Sequence, residues 1–573
     1  MMKPVRNASL ILGLAVTAAL TGCTASEPPP FDPRSVGDAA RRASSEVRSH
    51  DLPNLPTTAP APEDALKPDR ATTGPVLGVE PQERMTLQEI IQRAVANNLD
   101  VKVAGYTPAI DQTRVIEAEA RFDPTFFSQL TFERRDRVVF ISNGNAQASD
   151  EYGNVLTGQT GIRQNLESGG QIELRAQTTY NYFQNTVSGG GQDKPWTGNY
   201  DNQLVLQLTQ PLLRDFGNDT NRARITINRN NQLVSVLEFR KELEETLANI
   251  EESYWRLVQA ERDLKTQEEL LTRTTDTAIR LLQRIDVDVT DVQINQATAS
   301  VEQRRRLLIS AKRQVKDLSD QLKRLMQDPN MPVASATLLL PAQEPLAEPI
   351  RFDFEEQLNT ALESRFELGQ QTLRIDNADV ARQVAKNNLL PQLNITAQGN
   401  LQGLQRGFDE SAADMWSGDH FSWQLGLSLE IPIGNRAARA IYARSLLQRQ
   451  QAVDQYRNLI DQISLEVKTS ARAVETRWEE VVAARKARFA AEKSLAGIES
   501  RELAGEPLTP EFVNLKLSEQ ERLAQSQRDE NDALAQYNIA IEQLERAKGT
   551  LLKYNNVIMQ EEDQPFTKKF EAR

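Results

Sequence analysis

The chain has 573 residues, 39% of them hydrophobic and 26% charged, with a mean hydropathy of −0.53 and a formal net charge of −13. That length exceeds what one compact core usually absorbs, and the acidic balance argues against a nucleic-acid partner, which needs a basic face. One cysteine (Cys23) and two histidines (His50 and His420) cannot assemble a zinc, haem or iron–sulfur site within one chain, so no metal or cofactor is expected.

The first 22 residues read as a cleaved signal peptide. Lys3 and Arg6 form a positive start, Ala8 to Leu20 is a short apolar run, and small residues follow. Leu20-Thr21-Gly22-Cys23 resembles the bacterial lipobox, in which the cysteine is acylated and becomes the first mature residue. Cys23 is therefore the expected lipidation site, and Thr24 after it favours the outer membrane. Acyl chains give about 0.8 kcal/mol of membrane affinity per buried methylene, so several make a firm tether. Residues 23–84 are rich in proline and lack apolar periodicity, which predicts a disordered leash between lipid and fold. No later stretch holds the ~18 apolar residues of a spanning helix.

From Leu87 onward one pattern is written twice. Leu87 to Pro124 aligns without a gap on Phe354 to Pro391, and Leu206-Gln207-Leu208-Thr209-Gln210-Pro211 matches Leu427-Ser428-Leu429-Glu430-Ile431-Pro432. Asn221-Arg222-Ala223 likewise matches Asn435-Arg436-Ala437. The expected units are residues 85–328 and 350–557, each a helix, strands and a long helical hairpin, joined by a linker at 329–349 and followed by a polar tail at 558–573.

The strand runs alternate with a period of two. Leu393, Ile395, Ala397 and Leu401 oppose Asn394, Thr396, Gln398 and Asn400; Phe421, Trp423, Leu425, Leu427 and Leu429 oppose Ser422, Gln424, Ser428 and Glu430. Ile172, Leu174, Ala176, Tyr180 and Tyr182 similarly oppose Gln171, Glu173, Arg175, Gln177 and Asn181. Runs of about 10 residues fit a tilted membrane strand with lipid on one face and water on the other; a half-exposed soluble sheet alternates in the same way. The first unit holds four candidates, at 126–133, 157–166, 171–182 and 203–210. Glu167-Ser168-Gly169-Gly170 is a tight turn, and long loops are expected at 137–154 and 184–199. Two strands in the second unit bring the expectation to six per chain.

The helices carry three-four spacing, as in Leu243, Leu247, Ile250, Tyr254, Leu257 and Leu264, and again in Ile460, Ile463, Val467, Val474 and Trp478. Arg222 to Ile285 contains neither proline nor glycine and would run about 95 Å as one helix. Its partner returns from Asp291. The second hairpin runs from Arg436 to Leu503, turns at Gly505 to Pro510 and returns toward Tyr554.

With these elements in order, the chain resembles the TolC family of outer-membrane efflux proteins over roughly Leu87 to Val557. The motifs that carry the resemblance are Leu390-Pro391-Gln392-Leu393, Ile431-Pro432-Ile433-Gly434, Asp291-Val292-Gln293-Ile294-Asn295-Gln296-Ala297 and the run from Tyr537-Asn538-Ile539-Ala540-Ile541-Glu542 to Gly549-Thr550-Leu551-Leu552. The resemblance implies a mainly α fold with membrane β: a trimeric TolC-like α/β-barrel of long coiled-coil hairpins and transmembrane strands in two repeats. It implies a passive export duct for a tripartite efflux or type I secretion system, with a homotrimer embedded in outer-membrane lipid and its helices in the periplasm. The implied partners are a periplasmic adaptor and, through it, an inner-membrane pump. Adaptor contact would fall on the hairpin tips, here Arg284, Ile285, Asp286, Val287, Asp288 and Asp291 in the first, and Ala504, Gly505, Glu506 and Thr509 in the second. The first tip departs from the pattern by lacking the glycine often found there.

A coiled-coil structural or adhesive envelope lipoprotein without transport is the alternative, although it leaves the alternating strands without a purpose. No nucleophile elbow, phosphate loop or metal motif appears, and the many acidic residues fall on helix surfaces. No residue is assigned to catalysis and the chain is not read as an enzyme.

Overall fold

Two helical hairpins and one six-stranded sheet dominate the computed structural model, which describes residues 81–142, 146–187, 197–285 and 289–557. The signal segment 1–22, Cys23, most of the 23–84 segment, Asp286, Val287, Asp288 and the tail 558–573 lie outside the described residues.

The first unit opens with strand β1 (Gln82–Met85) and helices α1 (Leu87–Asn97) and α2 (Leu99–Glu119). Thr86 and Glu89 close a capping box at the start of α1, satisfying two of the backbone donors that a helix start leaves open. Strands β2 (Thr125–Ser142), β3 (Ala146–Asn165), β4 (Gln171–Val187) and β5 (Thr197–Pro211) follow. The first hairpin is α3 (Ala223–Gln283) and α4 (Asp291–Met326). Strand β6 (Leu338–Pro341) leads to α5 (Phe354–Ser364) and α6 (Phe366–Asn387). Then come β7 (Gln392–Gln405), a short helix α7 (Phe408–Ser417) and β8 (Phe421–Glu430). The second hairpin is α8 (Arg436–Leu503) and α9 (Pro510–Lys548).

The predicted seams are buried. Leu247, Ile250, Tyr254 and Leu257 of α3 have no exposed surface, and they share one core with α1, α4, β1 and β6. Full burial of one such aliphatic side chain is worth ~1.5–3 kcal/mol. Val474 and Val481 of α8 pack against Leu534, Tyr537, Ile541 and Leu544 of α9, forming the seam of the second hairpin. Side by side, the hairpin helices run α4, α3, α9, α8. Nearer the sheet the layer is α2, α3, α6, α8.

The sheet has the order β2-β3-β4-β5-β7-β8, and every pair is antiparallel. Four strands of this sheet adjoin a helix: α2 leads up to β2, β5 leads down to α3, α6 leads up to β7 and β8 leads down to α8. Gly169 makes the tight β3–β4 turn with φ of 93°, and a Cβ there would lie 2.1 Å from the Asp215 carbonyl oxygen.

Two expectations need correction. The loop placed at 137–154 is mostly strand, and the one placed at 184–199 is strand at both ends: β2 and β4 run on to Ser142 and Val187, and β3 and β5 begin at Ala146 and Thr197. Val138-Val139-Phe140-Ile141 does not alternate, so it breaks the period-two signal while keeping strong strand propensity. The segments 23–84 and 329–349 are also not free linkers throughout. Residues 82–85 and 338–341 form a parallel pair, β1 with β6, and Leu338, Leu339 and Leu340 are buried. Four apolar residues are too few to betray a strand by periodicity, and their partner is far away in sequence.

Candidate functional site: a two-faced sheet and paired hairpin tips

Strand register sorts the side chains onto two faces. Ile162, Leu174, Leu206, Gly399 and Trp423 lie in one row across β3, β4, β5, β7 and β8. The next row on that face is Thr160, Ala176, Leu204, Leu401 and Phe421. The face is predominantly apolar and turned outward: Leu206 is 50% exposed, Leu174 46% and Trp423 74%. On the opposite face Val205 is 3% exposed and Val155 1%, so that side is concave and its side chains crowd together.

The concave face is a ladder of amides and hydroxyls. Gln159 donates to Gln129 at 2.6 Å, the Thr157 and Thr179 hydroxyls lie 3.4 Å apart, and Asn181 donates to Asn199 at 3.1 Å. Gln203 and Gln402 both donate to Asp201, at 3.0 and 2.9 Å. Its charges pair locally, Arg135 with Glu133 at 3.0 Å and Arg175 with Glu173 at 3.4 Å. Such a surface is polar without presenting one strong sign of charge.

The sheet ends in two edges, β2 and β8, which are not paired with each other. An unpaired row of backbone donors and acceptors in a membrane costs several kcal/mol per group. The edges run in opposite directions, so β8 of one copy can continue antiparallel onto β2 of the next. Among the described residues no helix is long and apolar enough to cross a membrane.

At the far end of the molecule the two hairpin tips sit side by side. The Gln293 side chain accepts from the Thr290 N–H at 2.7 Å, capping α4, and donates to the Leu508 carbonyl at 2.6 Å, tying the first tip to the second. Val289, Leu508, Phe512 and Val513 are buried beneath. Lys516 pairs with Glu502, and Arg280 reaches Glu502 from α3 at 3.6 Å. Thr509 caps α9 by accepting from the Phe512 N–H at 3.2 Å. Gly505 turns the chain with φ of 88°. Glu506 is bound by Arg501, whose hydrogen bond holds its carboxyl below the usual range.

Of the expected tip residues, Arg284, Ile285, Asp291, Ala504, Gly505, Glu506 and Thr509 therefore lie in one crown; Asp286, Val287 and Asp288 lie outside the described residues. Sequence reading did not single out Leu503, which lies within the second tip and is 85% exposed, nor Val292 beyond the first, which is also exposed. Leu503 falls five residues after the buried Ile498, off the three-four rhythm, and that phase break is the signal that could have found it.

The interior holds acids where the hairpins meet. Burial pushes Glu244 up to about 7 and Asp263 up to about 6, the latter against a 2.9 Å hydrogen bond from Asn531. Burial raises Glu251 and Glu542 too, and the neighbouring Glu251 raises Glu542 further. Among the described residues no group of histidines, cysteines and acids is placed to hold a metal ion.

No family profile and no curated protein sequence matches the chain. Solved structures do match its fold. The outer membrane protein VceC of Vibrio cholerae superposes with a TM-score of 0.56 at 15% identity, over 81% of this chain and 96% of that one. The CmeC outer membrane channel of Campylobacter jejuni gives 0.56 at 14% identity, over 87% and 94%. The MtrE outer membrane channel of Neisseria gonorrhoeae, in its open state, gives 0.55 at 16% identity, over 81% and 89%. The chain has the α/β fold of these channels, the TolC-like fold that its family resemblance implies.

Proposed function

We propose that the chain is one subunit of a homotrimeric outer-membrane channel, the passive exit duct of a tripartite efflux or type I secretion machine. The observation that carries this is the six-stranded sheet, apolar on its convex face, amide-lined on its concave face and open at both edges. Three copies close those edges into an eighteen-stranded barrel, lipid outside and water inside.

The widths agree with that count. Six strands at ~4.8 Å spacing and ~40° tilt span about 38 Å of arc. The four helices beneath them, at ~8–10 Å each, span about 32–40 Å. A ring of three thus carries strands and helices on one circumference, and the barrel continues as a helical tunnel into the periplasm.

The signal peptide directs export and is cleaved, and the acylated Cys23 then anchors the chain to the membrane it spans. The exposed crown of Ile285, Leu503 and Ala504 offers an apolar contact for a periplasmic adaptor, which links the duct to an inner-membrane pump. Opening is a shift of the hairpins driven from that contact.

The test is conductance of the purified full-length protein in planar lipid bilayers. Discrete current steps are expected. A protein that binds bilayers without current steps is a structural lipoprotein instead.

A further inference from the structure

Helix α7 lies between β7 and β8 in sequence yet folds back over β5 and β7. The Ser411 hydroxyl sits 2.7 Å from the Gly403 carbonyl oxygen and 3.0 Å from that of Tyr200. Asn202 donates to the Phe408 carbonyl at 3.4 Å and accepts from the Thr178 hydroxyl at 2.6 Å. The Asp414 carboxylate accepts from the Leu404 N–H at 3.1 Å. Gly403 permits this seating, since a Cβ there would lie 2.1 Å from the Ser411 carbonyl oxygen. Tyr200 meets the Phe408 ring edge-on at 5.9 Å.

The register places α7 on a definite face. Gly403 pairs with Asn202, and Leu401, two residues back, pairs with Leu204. All of these belong to the outward apolar face, so α7 is outside the sheet and not in its concavity. It also sits at a definite height. The apolar band runs from the Leu393–Leu429 row to the Leu401–Phe421 row. That is about 20 Å at ~3.3 Å rise and ~40° tilt, close to the ~25 Å of a membrane barrel. Helix α7 begins at the next row. Phe421 closes the band, Tyr180 and Tyr200 pair two rows beyond it and Tyr182 lies one row further, so aromatic side chains, which favour the boundary of lipid and water, flank the level of α7.

One flank of α7 is closed by this packing, with Ser411 and Met415 buried. The rest is amphipathic and open: Trp416 is 68% exposed, Phe408 is exposed, and Asp409 and Glu410 are polar neighbours. We propose that α7 is an interfacial helix, resting on the outer wall of the barrel at the headgroup level of the outer leaflet, with Trp416 and Phe408 inserted among the lipids. The proposal rests on the reading of the convex face as lipid-facing. Its partner is the lipid surface, chosen because α7 continues the apolar band at its outer rim and turns an indole outward where no strand of its own chain covers it.

Brominated phosphatidylcholines quench tryptophans that touch lipid, and the bromine position reports depth. The full-length protein is reconstituted in vesicles brominated near the headgroups or near the chain ends, and Trp416→Phe and Trp423→Phe are compared with the unaltered protein. Trp416→Phe is expected to remove about half of the quenching by shallow bromines and little of that by deep ones, as for an interfacial indole. Trp423→Phe is expected to remove quenching by deep bromines. Loss of quenching in Trp423→Phe but not in Trp416→Phe overturns the interfacial helix and leaves the channel standing; Trp416 is then covered by a neighbouring copy or faces water. No change in either variant overturns the lipid-facing sheet itself.

Discussion

The Tyr537 hydroxyl accepts a hydrogen bond from the Ile350 N–H at 3.0 Å and donates one to the Glu348 carbonyl at 2.9 Å. The next residue repeats the gesture: Asn538 accepts from the Leu346 N–H at 3.0 Å and donates to its carbonyl at 3.1 Å. These two side chains strap the segment between the repeats onto α9, and Tyr254 adds a third tie by accepting from the Gln343 N–H at 3.0 Å. The motif starting at Tyr537 thus has a physical meaning. It fixes the segment between the repeats along α9.

Tyr537→Phe keeps the packed ring and strands the Ile350 N–H and the Glu348 carbonyl. The expected cost is about 1–2 kcal/mol, the usual penalty for leaving a partly buried backbone group unpaired. Thermal unfolding in detergent measures it, and limited proteolysis is expected to cut first within residues 342–350.

Gly549 ends α9 with φ of 70°, and a Cβ there would lie 3.0 Å from the Ser364 carbonyl oxygen. Gly549→Ala carries both the left-handed backbone cost and that contact. A loss of at least about 1 kcal/mol is expected in the same unfolding assay.

Glu244 has a folded-state pKa of about 7 against 4.5 when free, because burial disfavours its charge. Between those values the folded state holds a proton that the unfolded state has released. Stability from this group is therefore complete below pH 4.5 and is lost as pH rises through about 7. Glu244→Gln removes the dependence. The variant is expected to melt higher than the parent protein at pH 8 and at nearly the same temperature at pH 4.

The two faces of the sheet answer differently to charge. Leu427 faces outward, and Leu427→Arg is expected to cost about 2–4 kcal/mol of membrane stability, as for an arginine on a lipid-facing barrel position. Gln398, on the concave face, is expected to accept arginine with normal assembly and to shift ion selectivity toward anions. Heat-modifiability on gels reads the first outcome and reversal potential in a salt gradient reads the second.

Leu503 projects from the second tip and supports nothing beneath it. Leu503→Asp is expected to leave assembly and conductance unchanged and to abolish capture of the periplasmic adaptor from the native envelope. Retained capture would move the contact away from the crown.

Much of this was legible before any coordinates. The helices announce themselves because each seam residue must meet its partner every three or four positions, and Leu243 through Leu264 do so. The two faces of the sheet were legible for a similar reason, since a strand with one apolar and one polar face must alternate. What was hidden depends on distance or on brevity. The β1–β6 pair joins four-residue strands over 250 positions apart, so no local pattern marks it. Helix α7 is one short element whose seating depends on Gly403 and Ser411 meeting across a loop. The crown residue Leu503 was obscured because an apolar side chain on a helix normally reads as core.

A reconstruction of the detergent-solubilised protein that counts barrel strands bears most directly on the central claim. Three chains and eighteen strands, with β8 of each copy zipped to β2 of the next, is the predicted result. A twelve-stranded ring with the β2–β3 hairpin folded away, or a single chain that remains monomeric in detergent, would contradict it.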